Sequence, residues 1–84
     1  MLKRDVEITA VLDGEVSAAA LLVQKAGEFK SSVYFEQGAK RVNGKSIMGM
    51  MTMPFVVGEV FTISAEGPDE EQAIKALESF LNKK

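Results

Sequence analysis

Ser32-Val33-Tyr34-Phe35-Glu36-Gln37-Gly38-Ala39-Lys40-Arg41-Val42-Asn43-Gly44-Lys45-Ser46-Ile47-Met48-Gly49-Met50-Met51-Thr52-Met53-Pro54 is the stretch whose order decides the fold. Ser32 to Glu36 carries strand formers, and Val33 and Phe35 point away from Tyr34. Gln37-Gly38-Ala39 is a tight connection into a short strand from Lys40 to Asn43, so the pair reads as a hairpin. Asn43-Gly44 is a second turn. Ser46 then caps a short helix from Ile47 to about Met53, because its hydroxyl can accept from an orphan backbone N–H. Pro54 ends that helix, since its ring disfavours helical backbone at the residue before it.

Working outward, Leu2, Arg4, Val6, Ile8 and Ala10 alternate with Lys3, Asp5 and Glu7, the period of a half-buried first strand. Asp13-Gly14 is a turn signal. Ala19, Leu22, Val23, Ala26 and Phe29 then follow helical spacing, which predicts a helix from Val16 or Ser17 to about Phe29, with Ser17 as N-cap. Downstream of Gly58, Val60, Thr62 and Ser64 alternate with Phe61, Ile63 and Ala65 in a last strand. Asp69 and Gln72 have capping-box spacing, and Ala73, Ile74, Leu77, Phe80 and Leu81 form one apolar stripe. The order is strand, helix, strand, strand, helix, strand, helix. Each helix has a single apolar stripe, which predicts an α+β layer with helices on one face of a sheet.

The 84 residues suit one domain, residues 1–84, and are 46% hydrophobic and 26% charged, as in a globular chain. Ten Lys and Arg against twelve Asp and Glu give a net charge of −2, which offers no electrostatic footprint for nucleic acid and no polybasic membrane patch. The longest apolar run, near Val16 to Val23, is too short to span a bilayer, and the N-terminus does not read as a signal peptide. The chain has no cysteine and no histidine. Disulfides, thiolate or histidine metal sites, and the Ser-His-Asp and Cys-His machineries are thereby removed. Acid–base work would fall to carboxylates, lysines or Tyr34, so a small binding or regulatory domain is expected, without cofactor or metal.

Gly44-Lys45-Ser46 imitates the end of a phosphate-binding P-loop, but Ala39 stands where that motif needs glycine. Ser46 has two readings. It caps its helix, and it is also a phosphoacceptor candidate at a place where backbone N–H groups favour an anion. Met48, Met50, Met51 and Met53 lie within six positions. They either fill the core or, with Ile47, present an adaptable apolar patch.

The run Arg41-Val42-Asn43-Gly44-Lys45-Ser46-Ile47-Met48-Gly49, followed by Met51, closely resembles the regulatory segment of HPr, the small phosphocarrier of the bacterial sugar phosphotransferase system. Ala19-Ala20 with Leu22-Val23-Gln24 is similar to that family's first helix. Ile63-Ser64-Ala65-Glu66-Gly67 followed by Asp69-Glu70 is similar to its last strand and the start of its last helix. The resemblance covers nearly the whole chain. It implies an open-faced β-sandwich: a four-stranded antiparallel sheet covered on one face by three helices in the order βαββαβα.

The departure lies at the family's active site. HPr proteins carry Gly-[Leu/Ile]-His-Ala-Arg-Pro-Ala at the start of the first helix, where the histidine takes a phosphoryl group from enzyme I. Here the stretch is Asp13-Gly14-Glu15-Val16-Ser17-Ala18-Ala19. Glu15 occupies the histidine slot, Ser17 the arginine slot, and Ala18 replaces the proline, so imidazole-based transfer is lost. Two readings of Glu15 stand: a fixed, weak imitation of phosphohistidine, or a first-turn carboxylate with no signalling role, either gaining about 0.3–1 kcal/mol from the helix dipole.

The catabolite-repression HPr-like subgroup also lacks the histidine and keeps the serine. The resemblance therefore implies a cytoplasmic, non-catalytic regulator of bacterial carbon metabolism with Ser46 as its phosphorylation switch. HPr kinase/phosphorylase would modify Ser46, and a LacI-type transcription regulator would read the product. Ile47, Met48 and Met51 would form the apolar docking face, with Ala20 and Gln24 as its neighbouring edge. Pro54 and Phe55 stand where the family has Gly and an aliphatic residue, which alters one corner of that face. The alternatives are a phosphocarrier acting through Glu15 or Ser17, and an interaction module independent of phosphate.

Overall fold

A computed structural model describes residues 1–10 and 15–82, with the side chains of residues 15 and 16 outside that description. The expected order is present: β1 (Leu2–Glu7), α1 (Glu15–Ala26), β2 (Ser32–Gln37), β3 (Lys40–Asn43), α2 (Ile47–Met50), β4 (Val60–Glu66) and α3 (Glu70–Leu81). The strands form one antiparallel sheet in the order β1-β4-β2-β3, which with the three helices is the α+β open-faced sandwich.

The register explains which residues reach the core. Val6 faces Phe61, Ile63 faces Phe35, and Ala65 faces Val33 across the ladders, and all six are buried. Helices α1 and α3 add Ala18, Ala19, Leu22, Ala26, Ala73, Ile74, Leu77 and Leu81 from their apolar stripes. Phe35 and Phe55 meet edge to face with centroids 5.9 Å apart, and Phe61 lies 5.2 Å from Phe55. Each such fully buried side chain contributes on the order of 1.5–3 kcal/mol by leaving water. The opposite face of the sheet is polar. There Arg41 stacks over Tyr34 at 3.9 Å and lies 3.7 Å from Glu36, while Thr62 donates to Asp5 at 2.6 Å.

Gly38 and Ala39 are the two residues between β2 and β3, and Gly38 has φ +61°. Positive φ at the first of two loop residues is the type II′ hairpin signature, so glycine is needed there. Gly67 has φ +152°, and a Cβ on it would lie 2.6 Å from Ser31 Cα.

Four element ends differ from the sequence expectation. Helix α1 begins at Glu15 rather than at Val16 or Ser17, so Ser17 lies inside its first turn, where the backbone is already helical, and is not the N-cap. Pairing in β1 stops at Glu7, although Ile8 and Ala10 remain buried as the alternation requires. Beyond it, Ile8 N–H donates to Glu59 C=O, and Thr9 and Ala10 N–H donate to Leu81 C=O at the end of α3. The helix expected to reach Phe29 ends at Ala26, because Glu28 and Phe29 bond three residues back rather than four. In the same way α2 ends at Met50, and Thr52 and Met53 continue it as tightened i→i+3 turns.

The Asp69–Gln72 capping box is not formed. Asp69 is the N-cap of α3 but its side chain makes no cap bond. Its carboxylate instead accepts from Lys30 N–H (2.9 Å), Ser31 N–H (3.0 Å) and the Ser31 hydroxyl (2.5 Å), tying the start of α3 to the α1–β2 connection. Glu70, the first residue of α3, accepts instead from Gly67 N–H, two residues before the cap, at 3.1 Å.

Candidate functional site

The loop that presents Ser46 is pinned from three sides. Gly44 N–H donates to Val33 C=O at 2.7 Å, so the loop continues the hairpin by one bond. Asn43 turns the chain, its Oδ1 accepting from Lys45 N–H (2.8 Å) and its C=O from Ser46 N–H (3.0 Å). Lys45 Nζ donates to Phe29 C=O at 2.7 Å, which closes the loop against the end of α1. Gly44 is a packing residue in this setting. It is buried, and a Cβ there would lie 2.7 Å from Val33 Cγ1.

Ser46 is the N-cap of α2, with extended backbone at φ −105° and ψ 111°, as the sequence predicts. Its Oγ accepts from Gly49 N–H at a long 3.4 Å, and the residue is half-buried. Gly49 leaves space over that hydroxyl, since a Cβ on it would lie 3.6 Å from Ser46 Oγ and 3.3 Å from Val42 Cβ.

The four methionines split two and two. Met50 and Met53 are buried in the core, whereas Met48 is 79% exposed and Met51 48% exposed, beside Ile47 at 40%. Both expectations for the cluster therefore apply, each to half of it. Helix α1 packs against α2, and its exposed residues include Ala20 and Gln24. Leu21 on the same helix is 47% exposed and was not anticipated. Its signal in the sequence is a large apolar residue lying off the Ala19-Leu22-Ala26 stripe. Ser17, Ala20, Leu21, Gln24, Ile47, Met48 and Met51 are all uncharged.

Phe55 takes no part in this surface. It is buried between Phe35 and Phe61, and Pro54 is half-buried. Glu15 is the first residue of α1, and its side chain lies outside the described residues, as do Asp13 and Gly14. Ser17 is exposed in the first turn of α1. Among the described residues no cluster of acidic side chains is placed to hold a metal ion, and no helix is long and apolar enough to cross a membrane.

Among the described residues, Asp69 is the one carboxyl held far from its usual range. The Ser31 hydroxyl first, then the Lys30 N–H, lower it from 3.8 to about 2. It lies at the other end of α1 from Ser17 and is structural, linking Lys30 and Ser31 to α3.

An open-faced sandwich presenting a capping serine at the rim of an uncharged, partly apolar face has the architecture of a small recognition protein. A family model described as "PTS HPr component phosphorylation site" matches residues 2–83. The chain belongs to the HPr family of the phosphotransferase system. It is 39% identical over 83 residues to the HPr-like protein Crh of Halalkalibacterium halodurans, covering 99% of each chain. It is 39% identical to the phosphocarrier protein HPr of Neisseria meningitidis serogroup A, covering 98% of this chain and 92% of that one. A crystal structure of HPr-C-His from Thermoanaerobacter tengcongensis superposes with a TM-score of 0.86 at 43% identity, covering 96% of this chain and 91% of that one. These relatives support a phosphocarrier or regulatory role of the HPr type.

Proposed function

We propose that this chain is a non-catalytic, cytoplasmic regulator of bacterial carbon catabolite repression, formed as a single HPr-like domain over residues 1–84 and switched by phosphorylation of Ser46. HPr kinase/phosphorylase is the modifying enzyme, and a LacI-type transcription regulator is the reader. The observation that carries this reading is the pairing of a half-buried, helix-capping Ser46 with exposed Ile47, Met48 and Met51 in a chain that has no histidine.

The mechanism follows from charge. A phosphoserine adds about −1.5 to −2 at pH 7 next to the exposed, uncharged Ile47 and Met48. Two lysines of the adjoining hairpin are engaged elsewhere: Lys45 Nζ with Phe29 C=O, and Lys40 Nζ with Thr52 C=O at 2.8 Å. The phosphate is thus offered to a partner's cation, for which the bidentate fork of Arg is better suited than Lys. Ile47, Met48 and Met51 supply apolar contact, with Ala20 and Gln24 at the edge. Met side chains suit such a face because they adapt to more than one partner surface.

Intact-mass spectrometry after two incubations tests the reading. One uses ATP with HPr kinase/phosphorylase, the other phosphoenolpyruvate with enzyme I. One phosphoryl group added by the kinase alone, and absent in Ser46→Ala, is the expected result. Transfer from enzyme I would refute it and direct attention to Glu15 and Ser17. No added mass in either incubation would leave a phosphate-independent interaction module.

A further inference from the structure

The division of the methionines has a chemical consequence beyond packing. Met48 and Met51 are three positions apart and exposed, while Met50 and Met53, also three apart, are sealed in the core. A thioether in water is open to two-electron oxidation, and the product is a polar, chiral sulfoxide. The bonds that hold this turn use no sulfur: Ser46 Oγ accepts from Gly49 N–H, Thr52 Oγ1 donates to Gly49 C=O at 2.6 Å, and Lys40 Nζ donates to Thr52 C=O. Oxidation of the outer pair therefore leaves the local backbone and the core untouched.

We propose that Met48 and Met51 form a peroxide-responsive modification site that turns the face beside Ser46 from apolar to polar while the fold persists. The step is balanced. A sulfur lone pair attacks one oxygen of hydrogen peroxide, the S–O bond forms and the O–O bond breaks. Sulfur is oxidised by two electrons, and the departing hydroxide takes the proton carried on the transferred oxygen, leaving the sulfoxide and water. Methionine sulfoxide reductase with a dithiol reverses it, giving thioether, disulfide and water. A partner that buries this face must then desolvate an S=O group in place of a thioether, which weakens docking. The effect on docking rests on the function proposed above; the chemistry of the site does not.

The test treats the folded protein with hydrogen peroxide and follows each methionine by peptide mass spectrometry. Met1, 63% exposed, serves as the solvent-exposed standard and Met50 and Met53 as buried ones. Met48 oxidising at nearly the rate of Met1, Met51 within a few-fold, and Met50 and Met53 about tenfold slower with unchanged far-UV circular dichroism is the expected pattern. Retention on a hydrophobic-interaction column falls for the oxidised protein, and falls markedly less for the oxidised Met48→Leu/Met51→Leu double variant, in which Met1 is the remaining exposed methionine. Oxidation also slows Ser46 phosphorylation by the kinase about tenfold, equivalent to about 1.4 kcal/mol, and the reductase restores it. Oxidation of the inner pair as fast as the outer pair, loss of the circular dichroism signal, or unchanged retention overturns the proposal. If the unoxidised protein is no kinase substrate, the function proposed above fails, while the order of oxidation and the retention still decide this site.

Discussion

Replacing Gly44 with Ala tests whether close approach, rather than loop flexibility, is what glycine provides ahead of Ser46. The new Cβ would lie 2.7 Å from Val33 Cγ1 and 3.2 Å from both Val33 Cβ and the Val33 carbonyl oxygen. Carbon atoms in contact prefer roughly 3.5–4.0 Å, so the overlap approaches an ångström and the hairpin must open or Val33 must move. Overpacking of this kind costs about 1–3 kcal/mol. Gly44 does not have positive φ, so Ala meets no backbone penalty and gains about 0.4–1 kcal/mol by restricting the unfolded chain. The net expectation is a loss of about 1–2 kcal/mol, or a fall in Tm of about 4–16 °C for a domain of this size. Urea unfolding followed by circular dichroism measures it. The Gly44→Ala/Val33→Ala double variant should recover about 1 kcal/mol relative to the sum of the single changes, because Ala at position 33 removes the struck atom. A Gly44→Ala protein within about 0.5 kcal/mol of the parent, or strict additivity in the double variant, would refute the packing account.

Three further outcomes follow from the same structure. Ser46→Ala should cost only about 0.5 kcal/mol in urea unfolding, at the low end for an N-cap, because the Gly49 N–H to Oγ distance is 3.4 Å; a loss above about 2 kcal/mol would mean the cap is stronger than its geometry. Asp69 has its carboxyl lowered to about 2, so the charged form is favoured by folding and its contribution is complete above about pH 4 and lost as pH falls towards 2. Asp69→Asn should therefore flatten the pH dependence of the urea midpoint across that window, and an Asp69 carboxyl titrating near 4 by NMR would contradict the assignment. Phe55→Ala should lose about 3–5 kcal/mol in the same unfolding assay, since its ring is fully buried against Phe35 and Phe61; a loss below about 1 kcal/mol would place Phe55 outside the core.

The strands and helices were legible because period-two and period-3.6 patterns are written in side chains that pack. Val6, Ile8, Phe61, Ile63, Val33 and Phe35 are buried as their alternation requires. Helix ends were less legible, because the switch from i→i+4 to i→i+3 bonding after Ala26 and Met50 depends on backbone crowding that no residue type announces. Asp69 shows the limit of local reading. Its spacing to Gln72 suggests a cap, yet its carboxylate serves Lys30 and Ser31, nearly forty positions away. Gly44 shows the same limit: the turn signal is local, but the reason for glycine is Val33 on the neighbouring strand. At the candidate site, the position of Ser46 was readable and the fate of the methionines was not. Which of the four methionines between positions 48 and 53 turns outward depends on how a helix of one turn packs against β3 and α1, which is a tertiary fact.

The Ser46 loop and the start of α1 are built by different parts of this chain. The Ser46 loop hangs on Val33, Asn43 and Phe29, and its helix on Gly49, Thr52 and Lys40. None of those bonds, all among the described residues, involves the first turn of α1, which the resemblance to HPr aligns with that family's histidine segment. Substitution there removes imidazole chemistry and leaves the serine loop standing with its hydrogen bonds intact. The converse does not hold for the apolar face, because α1 packs on α2 and carries Ala20, Leu21 and Gln24 beside it. On the function proposed above, a chain without histidine keeps the serine loop with its hydrogen bonds, Met50 in the core and Met48 and Met51 in solvent.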